Sequence, residues 1–405
     1  MNLSSRVKEA QMSVTLKMNE KVQTLVQNGR HIYNMTNGQL PFKPASDFIE
    51  SINKQTNFLK SYQYSPISGF QKLRDKFLDY HLSERKVSTD KLDIELDCIL
   101  SNGSKHSLYN IFGALINPGD EVILLTPYWV SYPEIIKFWG GTPVIVQSHA
   151  FDAYTPSFIE IEKKISAKTK AIIVNSPNNP AGIHYSEEWM KECCEFMKKN
   201  SNIVVVSDEI YSEIAYFDPK PTYFYQYEPE LLNQTVIVHG ISKSFAATGL
   251  RIGYTIADKK LIQAMGRIQS QTTSGPNSLI QRALIEYDFG NLDEFFDPVK
   301  EHLRECANIV RQTFRDANLP HCFYQTHSAF YYLLDFSRMP FFGKYTDDVD
   351  HSEEIVDEIL EQTGVALVPG GAFGYSNSAR MSMTLELSVF REAIEKLVAY
   401  IAQKP

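Results

Sequence analysis

From about residue 98 to residue 257 the chain alternates short apolar runs rich in valine and isoleucine with longer amphipathic stretches, the pattern of βα units around a mostly parallel sheet. It predicts strands over Glu121–Thr126, Lys170–Asn175, Ile203–Ser207, Val236–His239 and Arg251–Ile256. Between them, Pro156–Ser166 and Glu187–Lys199 read as helices, and Ser186 is placed to cap the second, with Glu187 and Glu188 in its first turn. Ser107–Ile116 is also helical in pattern. Past residue 258 helical spacing takes over, with a long charged segment over Asn291–Asn318, an aromatic strand over Ala329–Asp335 and a last helix from Ser388. A parallel sheet receives ligands beyond the carboxyl ends of its strands, so the residues just past those ends are the first to search for chemistry.

A length of 405 residues exceeds what one small core serves and points to two lobes with room for a deep site. Hydrophobic residues make up 43% and charged residues 22%, as in an ordinary folded protein, so disorder is not expected. The net charge of −8 and the scattered lysines supply no basic field, which argues against nucleic acid as a partner. No run of about 18 apolar residues occurs, so no membrane span is expected. The polar start, Met1-Asn2-Leu3-Ser4-Ser5-Arg6, lacks the apolar stretch of a secretory signal, and the expected location is the cytoplasm. Five cysteines, among them the adjacent Cys193 and Cys194, show neither C-x-x-C nor a Cys/His spacing suited to zinc. Buried free thiols and no metal site are the expectation.

The segment Gly240-Ile241-Ser242-Lys243-Ser244-Phe245-Ala246-Ala247-Thr248-Gly249-Leu250-Arg251-Ile252-Gly253 follows a predicted strand and surrounds one lysine with small residues. An exposed lysine needs no such setting. Held at a strand end among Gly, Ala and Ser, it can sit against a bound cofactor, where desolvation and neighbouring cations lower its pKa toward nucleophilic attack on a carbonyl. Asp208 ends a buried-looking strand in Val204-Val205-Val206-Ser207-Asp208-Glu209-Ile210-Tyr211, where a carboxylate either meets a partner or caps the next segment. Ser101-Asn102-Gly103-Ser104-Lys105-His106 precedes a helix, whose free N–H groups and dipole can cradle a phosphate. Asn175-Ser176-Pro177-Asn178-Asn179-Pro180-Ala181-Gly182 closes another strand as a turn. Trp129, in Pro127-Tyr128-Trp129, is either a ligand-facing ring or a packed one, and Tyr64 lies in a Pro/Gly turn, Tyr62-Gln63-Tyr64-Ser65-Pro66-Ile67-Ser68-Gly69. Arg380, in Ala379-Arg380-Met381-Ser382-Met383, follows Val368-Pro369-Gly370-Gly371-Ala372-Phe373; a singly buried arginine is costly without an anion.

Together these segments resemble the class I aminotransferases, and the fourteen residues around Lys243 match that family's lysine signature throughout. The resemblance runs from about residue 3 to the C-terminus, with the motifs in the family's order and at similar spacing. It implies the α/β architecture of fold type I, a large domain with a mostly parallel seven-stranded sheet sandwiched by helices, plus a smaller α+β domain. Residues 1–47 would form an N-terminal segment and part of the small domain, 48–300 the large cofactor-binding domain, and 301–405 the C-terminal small domain. The implied cofactor is pyridoxal 5′-phosphate, with Lys243 as its Schiff-base lysine, Arg251 on its phosphate and Asp208 facing its ring nitrogen. Tyr211 and Asn179 would bond its phenolic oxygen, Gly103, Ser104 and Lys105 would form the phosphate loop, Trp129 would supply the aromatic ring, and Arg380 would clamp the substrate's α-carboxylate. Tyr64 resembles the tyrosine that reaches the phosphate in a partner subunit, which implies a homodimer with active sites at the subunit interface.

The departures are specific. Ala181 replaces the threonine of the family's N-P-T-G turn, and Gly240 stands where some members carry a phosphate-binding serine. Gly38-Gln39-Leu40-Pro41-Phe42 replaces G-E-P-D-F beside the substrate pocket, and His327-Ser328-Ala329-Phe330 replaces S-G-A-F.

The implied reaction is ping-pong transamination between an L-amino acid and a 2-oxo acid, small molecules both. Ser13-Val14-Thr15 with Lys105 resembles the pattern by which the aspartate-specific Ib subgroup receives the distal carboxylate, so aspartate and 2-oxoglutarate are the expected pair. Gly38, Trp129, Asn179 and Arg380 would surround the rest of the substrate. Lys105 is otherwise a solvated cation at a helix start, an electrostatically poor place for one. Gln11 stands where members that also transaminate prephenate use a basic residue, which disfavours prephenate. Alternatives are an aromatic or kynurenine-type aminotransferase, suggested by the many Tyr and Phe residues, a pyridoxal-phosphate lyase, and a non-catalytic cofactor-binding regulator. The few residues ahead of Arg6 leave no room for the DNA-binding head that such a regulator needs, and Lys243, Asp208 and Arg380 are all retained.

Overall fold

Successive residues of the valine- and isoleucine-rich runs point to opposite sides of a sheet. Ile172, Val174, Val205 and Ile237 join the core on one face, while Ala171, Ile173, Val206, Val236 and Val238 join a second core on the other. A strand apolar on both sides must be covered on both, which places helices above and below. Helix Glu187–Lys199 contributes Trp189, Met190 and Phe196 to the first core, and helices Ser104–Leu115 and Lys259–Ser270 contribute Leu108, Ile111, Ile262 and Met265 to the second.

The computed structural model describes residues 1–9, 12–320 and 324–403. Its strands are β1 (Tyr33–Asn34), β2 (Leu96–Ser101), β3 (Glu121–Leu125), β4 (Thr142–Val146), β5 (Thr169–Asn175), β6 (Val204–Asp208), β7 (Thr235–Gly240), β8 (Gly253–Asp258), β9 (Tyr331–Asp335), β10 (Val365–Ala366), β11 (Val368–Pro369) and β12 (Ser378–Ser382). The large sheet has the order β2-β8-β7-β6-β5-β3-β4, and β8 alone runs against its neighbours. In register, Asn175 sits opposite Asp208, and Asp208 opposite Val238. The carboxyl ends of β5, β6 and β7 therefore open side by side.

A second sheet, β11-β12-β9, is antiparallel and packs with helices Leu292–Asp316, Ser352–Thr363 and Leu387–Ile401. The first of these helices buries Leu292, Phe296, Val299, Leu303, Val310 and Phe314, the three-to-four spacing of one apolar stripe. Parallel pairing of β1 with β10, Tyr33 opposite Val365, ties the N-terminal segment to this part of the molecule.

The expected elements are present with local shifts. Ser186 caps its helix by accepting from the Trp189 N–H at 3.2 Å. The strand expected from Arg251 starts at Gly253 because Arg251 has a left-handed backbone, φ 55°. The helix expected over Pro156–Ser166 spans only Phe158–Glu162, and Lys163–Ile165 close it in tight turns. Strands β2 and β4 escape the periodicity: Asp97 interrupts the first, and Pro143 sits in the second, which is an edge strand with partly exposed residues. Cys98, Cys193, Cys194 and Cys306 are buried and free, whereas Cys322 and Gln11 lie outside the described residues. No described helix is long and apolar enough to cross a membrane.

Candidate active site

Asp208, the last residue of β6, is 4% exposed. Its Oδ2 accepts from the Tyr132 hydroxyl at 2.6 Å, and its Oδ1 lies 3.4 Å from the Ile210 N–H. Burial outweighs these bonds and raises the pKa of the carboxyl to about 6. Tyr132 reaches it because helix Ser131–Phe138 begins just past Trp129, whose ring meets that of Tyr132 edge to face at 5.4 Å.

At the end of β7 the short turn Ile241–Ser244 presents the part-buried Lys243. Its amine donates to the Gly38 carbonyl. Burial, with the charges of Arg380 and Arg251, lowers its pKa to about 7, so a large fraction of the amine is neutral and nucleophilic near neutral pH. A side chain at Gly240 would come within 2.8 Å of both Ser104 Oγ and Gly253 Cα. A serine at this position is thus excluded, and Ser104 occupies that space, donating to the His239 carbonyl at 2.9 Å.

Arg380 projects from β12 and is 2% exposed. Its two terminal nitrogens donate to the Thr36 carbonyl at 2.8 Å and to Asn179 Oδ1 at 3.3 Å, while its Nε has no protein partner. No carboxylate offsets this buried guanidinium among its described partners, which is the condition of a cation awaiting an anion. Asn179 Nδ2 lies 3.5 Å from the Tyr211 hydroxyl.

Helix Ser104–Leu115 starts where Gly103 takes a left-handed turn, φ 83°; any side chain there would collide with the Arg251 guanidinium. Arg251 is thereby laid across the helix N-terminus, donating to the Thr248 carbonyl at 2.9 Å and the Asn102 carbonyl at 3.3 Å. The Lys105 amine sits 4.9 Å from the Trp129 ring centroid.

These groups converge on one cavity of about 460 Å³. Lys243, Asp208, Tyr211, Asn179, Ser104 and Arg251 line it, and so do Arg380, Gly38, Trp129, Lys105, Ser13 and Thr15. Gly103 stands behind Arg251 and not on the wall, and Tyr64 is 94% exposed, outside the cavity altogether. Tyr132, Tyr331, Asn175 and Thr36 also line the cavity or hold its groups, and sequence reading missed them. A signal existed for two: Tyr132 follows Trp129 by three residues at the start of a helix, and Tyr331 directly follows the Ala329-Phe330 motif.

A family model described as aminotransferase class I and II matches residues 30–397. The chain belongs to that family. It is 33% identical to an aspartate aminotransferase of Geobacillus stearothermophilus over 98% of both chains, and 31% identical to an asparagine–oxo-acid transaminase of Streptococcus mutans over 98% of this chain and 99% of that one. An aspartate aminotransferase from Thermus thermophilus, solved with maleate, superposes with a TM-score of 0.88 at 29% identity, covering 98% of this chain and 99% of the other. Pyridoxal 5′-phosphate is the cofactor of this aminotransferase. The cavity fits that group: a primary amine with a pKa near 7 suits an aldehyde, a buried carboxylate suits a protonated ring nitrogen, and a guanidinium across a helix N-terminus suits a phosphate.

Proposed function

We propose that this aminotransferase moves the amino group of L-aspartate to 2-oxoglutarate in a ping-pong cycle. The observation that carries the reading is the opening of Lys243, Arg380 and Lys105 into one cavity whose wall also includes Ser13 and Thr15. A dicarboxylic substrate needs two cationic receivers, and Arg380 and Lys105 supply them, the guanidinium for the α-carboxylate and the amine for the distal one. The relatives named for aspartate and asparagine support a substrate of this size and polarity.

When bound, pyridoxal phosphate supplies an aldehyde carbon for the amino group and a conjugated ring that accepts electron density from the substrate's Cα–H bond. Arg251, Ser104 and the backbone behind Gly103 would hold its phosphate. Asp208 would face the ring nitrogen as a carboxylate, and Tyr211 with Asn179 would orient the phenolic oxygen. Lys243 Nζ, with a pKa lowered to about 7 and so a large neutral fraction near neutral pH, would accept and return the proton of the substrate's Cα. Trp129, on the cavity wall, would lie beside the ring.

Tyr64 is fully displayed to solvent beside the exposed Leu59 and Tyr62, which suits a role in a second copy's phosphate site, so the working unit is a homodimer. The buried free thiols suit the reducing cytoplasm. A half-reaction screen tests the substrate: the loaded enzyme is mixed with single amino acids and its visible absorbance followed. Aspartate should convert it fastest; faster conversion by aromatic donors or kynurenine would replace this reading.

A further inference from the structure

Tyr331, the first residue of β9, joins two groups of the cavity that the strands deliver separately. Its hydroxyl lies 3.2 Å from that of Tyr211, and its ring face lies 4.5 Å from the Arg380 guanidinium. The antiparallel register of β9 and β12 accounts for the second contact: Arg380 is paired with Leu333, which makes Tyr331 its diagonal neighbour. Tyr331 is 1% exposed, yet it lines the cavity. A side chain at Gly38 would come within 3.3 Å of the Tyr331 hydroxyl, so the turn whose carbonyl accepts from Lys243 packs directly against it.

We infer that Tyr331 is a positioning residue with two separable parts, a hydroxyl that orients Tyr211 toward the cofactor's phenolic oxygen and a ring that holds Arg380 for the substrate's α-carboxylate. The inference rests on the roles given to Tyr211 and Arg380 above. Either hydroxyl can donate across this contact, but a Tyr211 phenol that donates to a ligand leaves its lone pairs to accept from Tyr331, and that bond makes Tyr211 the stronger donor in turn. Arg380 has its terminal nitrogens engaged and its Nε unpartnered, and the nearer of two ring faces beside it, Tyr331 at 4.5 Å against Phe373 at 5.2 Å, supplies electrostatic support that a buried cation requires. Among the described residues the charged and titratable groups acting on Tyr331 are Arg380 from β12 and Tyr211 beyond β6, and no carboxylate is among them.

The test uses the loaded enzyme and two readouts other than turnover: the pH titration of the cofactor's visible absorbance, and the Kd of maleate read from its spectral change. Tyr331→Phe keeps the ring and should raise the titration midpoint by about half a pH unit or more, because the deprotonated form loses hydrogen-bond support. Its maleate Kd should stay within about threefold of wild type. Tyr331→Leu, or Tyr331→Met where the leucine does not fold, removes both parts and should also weaken maleate by about tenfold. An unmoved midpoint in Tyr331→Phe, or an unmoved maleate Kd in the variant without a ring, overturns the inference. Tyr211→Phe and Arg380→Lys are run alongside. If they also leave their readouts unmoved, the assignment of the site itself has failed; if they shift and the Tyr331 variants do not, only the role of Tyr331 has.

Discussion

The hydroxyl of Tyr132 donates to Asp208 Oδ2 at 2.6 Å, and the Ile210 N–H donates to its Oδ1 at 3.4 Å. Burial raises the Asp208 pKa to about 6 against this support. The carboxylate that pairs with the ring nitrogen is therefore present above about pH 6 and lost below it. Tyr132→Phe removes the stronger donor, so Asp208 protonates at higher pH. We expect the cofactor affinity of the unloaded variant to fall about five- to tenfold at pH 7, with its acid limb displaced upward relative to wild type. Fluorescence titration with pyridoxal phosphate from pH 5 to 8 checks this (a range bracketing the shift, on the order of one unit each side); coincident limbs would contradict it.

Lys243 in the unloaded protein titrates near 7, well below the ordinary 10.5 of a lysine, chiefly through burial. Between those values the unfolded chain binds more protons than the folded one, so stability rises with pH across that window. Below pH 7 both states are protonated and the whole cost is present. Lys243→Met should therefore stabilise the unloaded protein by roughly 2–4 kcal/mol at pH 6 and by much less near pH 10. Urea unfolding at the two pH values measures the difference, and a gap independent of pH would contradict the account.

Next to Asp208 in sequence, Glu209 faces away from the cavity into a buried cluster. Its Oε2 meets Arg85 Nη2 at 2.9 Å and its Oε1 accepts from Tyr225 and Ser207, both at 2.8 Å. Burial works against the charge, but Arg85, His81 and Ser207 outweigh it and hold the pKa at about 2. The stability this gives is full above about pH 4.5 and is lost as the pH falls toward 2. Arg85→Met strands the carboxylate and should cost about 3–5 kcal/mol at pH 7, with the deficit narrowing below pH 4.5, as read by urea unfolding.

Lys105→Ala should raise the KM for aspartate by about tenfold or more while changing that for an aliphatic or aromatic donor by less than about twofold. Steady-state assays with both donors decide it. Equal changes would make Lys105 a residue of the phosphate loop alone and remove the support for a dicarboxylic substrate.

Much of this site was legible in the sequence because it is built from strand ends. Asp208, Asn175 and Gly240 close runs of β-branched residues, and the turn to Lys243 follows directly, so finding the strands finds the chemistry. Arg380 was legible only through its surrounding motif, since its burial depends on pairing between β12 and β9, which are separated by more than forty residues of chain. Tyr331 and Tyr132, although each lies close to a motif that was read, were harder to pick out for a related reason. A tyrosine in an aromatic strand or a helix start packs equally well without any partner, and only the meeting of distant segments shows which hydroxyl faces Tyr211 or Asp208. Strand β4 hid for local reasons, a proline on an edge strand whose half-exposed residues blur the alternation.

The central claim is that the Lys243 amine is the group that joins the cofactor. Reducing the loaded enzyme with borohydride, digesting it and locating the added mass by peptide mass spectrometry tests this most directly. The account predicts a phosphopyridoxyl group on the peptide containing Lys243 and on no other. Its presence on a different lysine, or the absence of any labelled peptide, would contradict the account.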